Sequence, residues 1–386
     1  MSAQSRTDAF YMAHAIRLAE RGRYTTDPNP RVGCVLVREG EIVGEGAHMW
    51  AGEPHAEIHA IMAAGDQVRG ATAYVTLEPC SHYGRTPPCS KALIDAGIAR
   101  LVVAMTDPNP QVAGRGFQMC RDAGIEVVEG VLEEEARALN RGFIARMTGR
   151  LPYTRLKMAM SLDGRTAMAS GESQWITGAA ARGEVQRLRA SASAVVTGIG
   201  SILDDDSRLT VRAEPDGVAA VPCEPGRSYR QPLRVVVDST LRMPVDAQCL
   251  SEPGATLVAT TSTDADKRSA LEQAGASCLV LPANAEGRVD LVALWRYLGD
   301  QEACNDILLE TGATLAGEAL TLGLVDELHL FMAPTLMGGQ ARPLFELGPL
   351  AKMSDQRRLV IEDVRAFGSD WRILARPETV ANASLE

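Results

Sequence analysis

Apolar and polar positions along this chain recur with two periods. Helical spacing, an apolar residue every three to four positions, runs through residues 10–21, 55–64, 88–96, 179–190, 291–298 and 315–322. Between these stretches lie short apolar runs of strand length. The first part of the chain has them at 33–37, 41–46, 71–77 and 100–105. The second part has them at 153–159, 194–197, 233–238, 255–260, 278–281, 307–310 and 327–333. Arg38-Glu39-Gly40 between the first two runs reads as a hairpin turn. Pro54 suits a first helical turn. Thr86 suits a cap for the helix carrying Cys89. The acidic run Glu133-Glu134-Glu135 opens a further helix that ends near Asn140. Helices alternating with short apolar strands predict layered α/β architecture.

A chain of 386 residues exceeds the roughly 100–200 residues of one domain. The small, polar stretch 147–152, with Gly149 and Pro152, marks a boundary. Domains at 1–148 and 152–380 are expected. Asp-Pro-Asn-Pro occurs at 27–30 and at 107–110 with nothing matching around the two copies, so it reads as two turns. Segment 213–231 is rich in Pro, Gly and charge and reads as a loop. The net charge of −10 leaves no basic footprint, which disfavours a nucleic-acid partner and still allows a local basic pocket for a small phosphate. No stretch approaches the roughly 20 apolar residues that cross a bilayer. The start of the chain has no apolar targeting core. A cytoplasmic protein without a membrane partner is expected. The cysteines are scattered, against a disulfide framework. Only Cys80 and Cys89 stand close together.

Pro54-His55-Ala56-Glu57, Thr76-Leu77-Glu78-Pro79-Cys80 and Pro87-Pro88-Cys89 form the informative cluster. Catalytic zinc commonly takes three protein ligands and leaves a fourth position open. His55, Cys80 and Cys89 satisfy that count. Glu57, two residues past His55, is close to the metal without needing to bind it, and a carboxylate there can carry protons. His-x-Glu followed by Pro-Cys is the signature of zinc deaminases, which hydrolyse an exocyclic amine from a nitrogen heterocycle. The spacing departs from that signature, because eight residues separate the two cysteines. A closed structural zinc site, with His59 or His82 as fourth ligand, is the alternative, as is no metal at all.

In the second part, residues 307–318 read as a strand, a Gly turn and a helix start, which can present backbone N–H groups to phosphate. It is not a Walker loop, because Glu318 stands where Lys would follow Gly317. Gly198 and Gly200 also follow a strand, but Leu203 replaces the third glycine of a Rossmann fingerprint. Lys157 in an apolar strand is hard to explain as structure. Arg189 sits near a helix C-terminus, where a cation is favoured regardless.

The runs TTDPNPRVGCVLV, AGEPHAEIHA, VTLEPCSHYGRTPPC and MTDPNPQVAGRG resemble the deaminase domain of the bifunctional riboflavin-biosynthesis deaminase/reductases. LKMAMSLDGRTA, SGESQWIT, DDDSRLTVR and DELHLFMAPTLMGG extend the resemblance over nearly the whole chain. It implies a three-layer cytidine-deaminase-like domain followed by a dihydrofolate-reductase-like α/β domain. It implies deamination of 2,5-diamino-6-ribosylamino-4(3H)-pyrimidinone 5′-phosphate, then reduction of the product's ribosyl chain to ribityl with NADPH. In the first domain it places Asn29, His48, His82 and Arg85 in the pyrimidine pocket. The bland reading of His48 is a surface histidine after a strand. In the second domain it places substrate at Lys157, Ser173, Arg189, Leu209, Arg212 and Glu310. It places cofactor at Ala159, Trp175, Ser201, Asp205, Ser239, Gly312, Ala313, Thr314, Leu315, Ala316, Gly317 and Glu318. Ser207 and Thr311 depart from the residues usual in the family. A homo-oligomer, dimer or tetramer, is expected. Two other readings compete: a monofunctional nucleotide or transfer-RNA deaminase with a non-catalytic second module, and a zinc-stabilised binding protein.

Overall fold

The apolar runs pair into sheets because a buried strand must satisfy its backbone N–H and C=O groups through neighbours. The computed structural model describes residues 3–82, 87–110, 112–212, 221 and 226–378. The chain divides into two compact units, Met1–Arg150 and Leu151–Glu386.

The first unit runs α1 (Ala3–Ala19), β1 (Gly33–Arg38), β2 (Glu41–Ala47), α2 (Ala56–Ala64), β3 (Thr72–Val75), α3 (Cys89–Ala96), β4 (Arg100–Val103), α4 (Arg115–Asp122), β5 (Glu126–Val128), α5 (Glu133–Leu139) and α6 (Arg141–Met147). Its sheet has the order β2-β1-β3-β4-β5. β1 is antiparallel to both neighbours, and β3, β4 and β5 are parallel. Helix α1 packs on one face and α2 on the other, making three layers. The closeness of α2 has a specific cause. A Cβ at Gly46 would lie 2.0 Å from the Ala56 carbonyl oxygen, and one at Gly44 would lie 2.3 Å from that of Ala60. Glycine at both positions lets the helix backbone rest on the strand.

A buried ion pair ties α1 to this sheet. Asp8 accepts from Arg100 Nη1 and Nη2 at 2.8 and 2.9 Å and from the Tyr74 hydroxyl at 2.9 Å. Burial pushes the Asp8 carboxyl up, but the bonds from Arg100, Tyr74 and Gln4 outweigh it and hold the group below its ordinary value. Its contribution is therefore present above the unfolded-state value of 3.8 and lost as pH falls through the lower folded-state value. Asp8→Ala should cost about 2–4 kcal/mol at pH 7, because it strands a half-buried guanidinium. Urea unfolding at pH 7 and in strong acid checks this. An equal gap between variant and wild type at both pH values would contradict it.

The second unit runs β6 (Tyr153–Ser161), β7 (Arg165–Ala167), α7 (Ala179–Ser191), β8 (Ala194–Gly198), α8 (Ile199–Asp205), β9 (Leu233–Val237), α9 (Gln248–Ser251), β10 (Thr256–Thr260), α10 (Ala265–Gln273), β11 (Ala276–Val280), α11 (Leu291–Asp300), β12 (Asp306–Glu310), α12 (Ala313–Thr321), β13 (Glu327–Ala333), β14 (Arg342–Pro343), β15 (Leu359–Phe367) and β16 (Asp370–Pro377). Its main sheet has nine strands in the order β11-β10-β9-β8-β12-β6-β13-β16-β15. The seven strands from β11 to β13 are parallel, and β16 and β15 close the edge antiparallel. β7 and β14 form a separate two-stranded pair. Each face buries its own core. One is built around Trp295 of α11, whose indole donates to Thr154 Oγ1 at 2.8 Å. The other joins Leu188 of α7, Val236 and Phe331. With both faces covered, the C-terminal ends of the parallel strands are where a ligand site can open.

Three local expectations differ from the structure. Pro54 is not in the first turn of α2, because His55 takes the N-cap. Pro88, not Thr86, is the N-cap of α3, and Thr86 lies outside the described residues, as does most of the 213–231 loop. Helix α12 starts at Ala313, two residues before the predicted start, directly after Gly312.

Candidate metal centre and candidate active-site cavity

Two helix starts and one loop deliver the first set of groups. His55 has extended backbone as N-cap of α2, and Glu57 follows in the first turn. Cys89 is the first residue of α3. Cys80 follows β3. His55 Nδ1 lies 3.3 Å from Cys89 Sγ and 3.8 Å from Cys80 Sγ. The Cys89 N–H donates to Cys80 Sγ at 3.3 Å. The three donor atoms lie within 4.8 Å of one another, the sole such group among the described residues. His59 and His82 are outside it. The Nε2 of His59 is buried without a hydrogen-bond partner.

The donor set fits a divalent cation. Tetrahedral zinc, with Zn–N about 2.0 Å and Zn–S about 2.3 Å, sets an N and an S ligand roughly 3.5 Å apart. The two distances from His55 Nδ1 straddle that value. Electrostatics agree. The Cys89 thiol beside it brings Cys80 down to about 4 against burial, with His55 helping. The Cys80 sulfur and burial push Cys89 upward. A divalent ion between the two sulfurs would let both ionise.

Glu57 is only 3% exposed. Burial, assisted by the Cys80 sulfur and opposed by His55, pushes its carboxyl up to about 7. A carboxylate of that affinity can take and return a proton near neutral pH.

Asn29 and His48 join this centre. His48 is 2% exposed, so the surface reading fails. Its Nδ1 lies 3.2 Å from the Pro54 carbonyl and its Nε2 3.2 Å from Asn29 Nδ2. The carbonyl can only accept, so Nδ1 carries the proton and Nε2 accepts from the amide. The His48 ring stands edge-on to that of His55, 5.2 Å away. His82 is exposed on the loop after Cys80, and Arg85 lies outside the described residues.

Glu78 was not singled out from the sequence. Its buried carboxylate accepts from the N–H groups of Asp107, Gly114 and Gly116 at 3.1, 3.0 and 2.8 Å. It thereby fixes the loop between β4 and α4, where burial pushes the Asp107 carboxyl above its ordinary value. A carboxylate between Leu77 and Pro79, just past an apolar strand, was the available signal.

In the second unit a cavity of about 1050 Å³ opens where β6, β8, β9 and β12 end. All six expected substrate residues line it, as do the expected cofactor positions except Ala316 and Gly317. Those two are buried in α12, where a Cβ at Gly317 would meet the Glu346 carbonyl oxygen at 2.0 Å. They pack the helix and do not reach the cavity.

Lys157 and Glu310 stand side by side in register on β6 and β12. Arg189, in the last turn of α7, grips Glu310 with two bonds, Nε to Oε1 at 2.6 Å and Nη2 to Oε2 at 3.0 Å. Its Nη1 donates to the Thr210 carbonyl at 3.1 Å. Burial raises Glu310, but Arg189 and Lys157 bring it below its usual value. Burial lowers Lys157, opposed by Glu310. Gly312 caps α12 without a side-chain bond, leaving the N–H groups of a nine-residue helix facing the cavity. Thr311 Oγ1 accepts from the Gly198 N–H at 3.3 Å, so this departure links the ends of β12 and β8. At the mouth, Ser173 and Gln174 donate to Asp205 Oδ1 at 3.1 and 3.2 Å. Trp175 projects there, with the Arg182 guanidinium 4.6 Å over its ring.

Comparison with known proteins places both units. Residues 5–105 match the cytidine and deoxycytidylate deaminase zinc-binding region, and residues 152–373 match the RibD C-terminal domain. The riboflavin biosynthesis protein RibD of Escherichia coli K12 is 50% identical over 363 residues, covering 94% of this chain and 97% of its own. That of Haemophilus influenzae is 44% identical over 380 residues, covering 97% and 99%. Acinetobacter baumannii RibD superposes with a TM-score of 0.87 at 44% identity, covering 97% and 99%. A Thermotoga maritima diaminohydroxyphosphoribosylaminopyrimidine deaminase/5-amino-6-(5-phosphoribosylamino)uracil reductase superposes with a TM-score of 0.83 at 32% identity, covering 97% and 99%. With a zinc-type deaminase centre in one unit and a strand-end cavity in the other, the chain belongs to the RibD family, the bifunctional deaminase/reductases of riboflavin biosynthesis.

Proposed function

We propose that residues 1–148 hydrolyse the 2-amino group of 2,5-diamino-6-ribosylamino-4(3H)-pyrimidinone 5′-phosphate. Residues 152–380 then reduce the ribosyl chain of 5-amino-6-(5-phosphoribosylamino)uracil to ribityl with NADPH. The observation that carries this reading is the three-donor cluster with a buried, high-affinity carboxylate two residues from one donor. His55, Cys80 and Cys89 would hold zinc, which when bound supplies the Lewis acidity that makes water nucleophilic at neutral pH. Glu57 takes one proton from the attacking water and passes it to the ring nitrogen, then carries the second, from the new hydroxyl, to the departing amine. Asn29, bonded to a His48 that is itself fixed on Pro54, contacts the pyrimidine, and His82 and Arg85 are further substrate residues in this reading.

In the second unit the bound NADPH would supply hydride. The open N-terminus of α12 would receive its pyrophosphate. Lys157, beside Glu310 on the neighbouring strand, faces the reacting end of the sugar. Arg189 and Arg212 offer charge to the substrate phosphate. Positioning supplies most of the rate here. A silent second module is not favoured, because this cavity is lined by the reductase residues.

The test is to incubate the zinc-loaded chain with the diaminopyrimidine nucleotide, with and without NADPH. Ammonia release followed by NADPH oxidation is expected. Ammonia alone would leave a single-activity deaminase, and neither signal would leave a binding protein. Zinc content should fall in Cys80→Ala, Cys89→Ala and His55→Ala and persist in His59→Ala.

We infer a homo-oligomer, dimer or tetramer, and the edge of the second sheet supports it. Edge strand β15 and its neighbour β16 expose Val360, Ile361, Val364 and Trp371, a surface that a second copy would cover. Light scattering that returned the mass of one chain would exclude it. A cytoplasmic setting suits the seven free cysteines among the described residues. No helix among the described residues is long and apolar enough to cross a membrane.

A further inference from the structure

The strand order lays out the cavity as a ruler. Lys157 lies on β6 and Glu310 ends β12, while β9 is three strands from β6, in the order β9-β8-β12-β6. Neighbouring strands are about 4.8 Å apart, so the end of β9 lies roughly 14 Å from the Lys157 end. With the reacting ring at β6 and the pyrophosphate at α12, as proposed above, the adenosine half of the dinucleotide reaches toward β9. What β9 presents there decides whether that half carries a 2′-phosphate.

Strand β9 runs into Asp238, Ser239, Thr240, Leu241 and Arg242. An acidic residue at such a strand end commonly accepts from an unphosphorylated ribose diol and so favours NADH. Asp238 is unable to do that. It is fully buried, and its Oδ2 accepts from the N–H groups of Arg242 and Met243 at 2.6 and 2.8 Å. The inward carboxylate thus ties down the turn. Leu241 is buried within that turn at φ +54°. Arg242, next along, is exposed and lines the cavity. Ser239 accepts the Val289 N–H on its Oγ at 3.1 Å, which leaves its O–H free to donate.

The charge census singles out one group. Arg189 is engaged by Glu310, Arg208 by Glu252, Arg342 by Asp204, Arg288 by Glu286 and Glu318, and Arg182 by the Thr177 carbonyl and the Trp175 ring. Lys157 has the Glu310 charge beside it, and Arg212 is partnered too. The Arg242 guanidinium makes no hydrogen bond or ion pair with any described residue. It is an uncompensated, fork-shaped cation at the far end of a dinucleotide-length cavity, beside a free hydroxyl and a carboxylate turned away. We propose that Arg242, with the Ser239 and Thr240 hydroxyls, binds the 2′-phosphate of NADPH and sets the preference over NADH. The assignment rests on the reductase reading of this cavity. A guanidinium matches a phosphate with two parallel bonds.

The test is binding to the full chain, measured by calorimetry with 2′,5′-ADP and 5′-AMP as probes. Wild type should bind 2′,5′-ADP more tightly. Arg242→Met should shrink that ratio by roughly 10- to 100-fold, the range for charge-assisted bonds, and leave 5′-AMP affinity unchanged. Arg242→Lys should recover part of it. Thermal unfolding should not move, because the side chain has no partner to lose. If NADPH binds and the ratio survives in Arg242→Met, or collapses instead in Arg288→Met, the assignment is overturned and the reductase reading stands. If wild type binds neither NADPH nor NADH, the reductase reading and the assignment fall together.

Discussion

Glu57→Gln is expected to keep its zinc and lose ammonia release by about 10²- to 10⁴-fold, the span of general acid–base catalysis. The amide fills the same buried space in the first turn of α2, so His55 at the N-cap keeps its place. It has no proton to take or return near neutral pH. Reduction should continue at the wild-type rate when the deaminated intermediate is supplied, because Lys157, Glu310 and Arg189 belong to the other unit. Metal analysis, an ammonia assay and NADPH oxidation read the three outcomes separately. Undiminished deamination would remove Glu57 from the mechanism.

The second large effect concerns Glu310→Ala. The change removes both bonds to Arg189 and the counter-charge beside Lys157. Two cations are then left facing each other in a half-buried site. Breaking such a pair from one side costs about 3–5 kcal/mol, since the stranded charge keeps its desolvation penalty. Reductase kcat/KM should fall at least about 10²-fold, the loss expected from a misplaced reacting group. Ammonia release should persist. Unfolding of the second unit should shift to lower denaturant. A variant with unchanged stability and unchanged reduction would mean that Arg189 and Lys157 have other sufficient partners.

Legibility from the amino-acid sequence followed chemistry and burial. The strands with continuous apolar runs, such as β8, β12 and β13, stand where periodicity put them, because burial on both faces leaves few other choices. His55, Cys80 and Cys89 were readable because few structural needs put an imidazole and two thiols beside prolines at two helix starts and a loop. Helices α4 and α6 were missed because each has a poor helix former, Gly116 or Gly142, in its first turn. Helix α8 was missed because Gly198 and Gly200 at its start read as a glycine turn after a strand. Hairpin β15–β16 was missed for the opposite reason. Its first strand is exposed on both faces, so no alternation marks it. Glu78 and Arg242 escaped because their places depend on what surrounds them: three N–H donors from a distant loop for one, and a guanidinium without a partner among the described residues for the other.

The contact between Gly46 and the first turn of α2 carries a consequence for how tolerance to substitution maps onto function. Residue 46 holds no reactive atom, yet a single methyl there would shove aside the helix turn that follows the imidazole donor. A saturation library scored by deaminase output should therefore show this position as unforgiving as the metal ligands themselves. The centre is held in place partly by a side chain the strand does without.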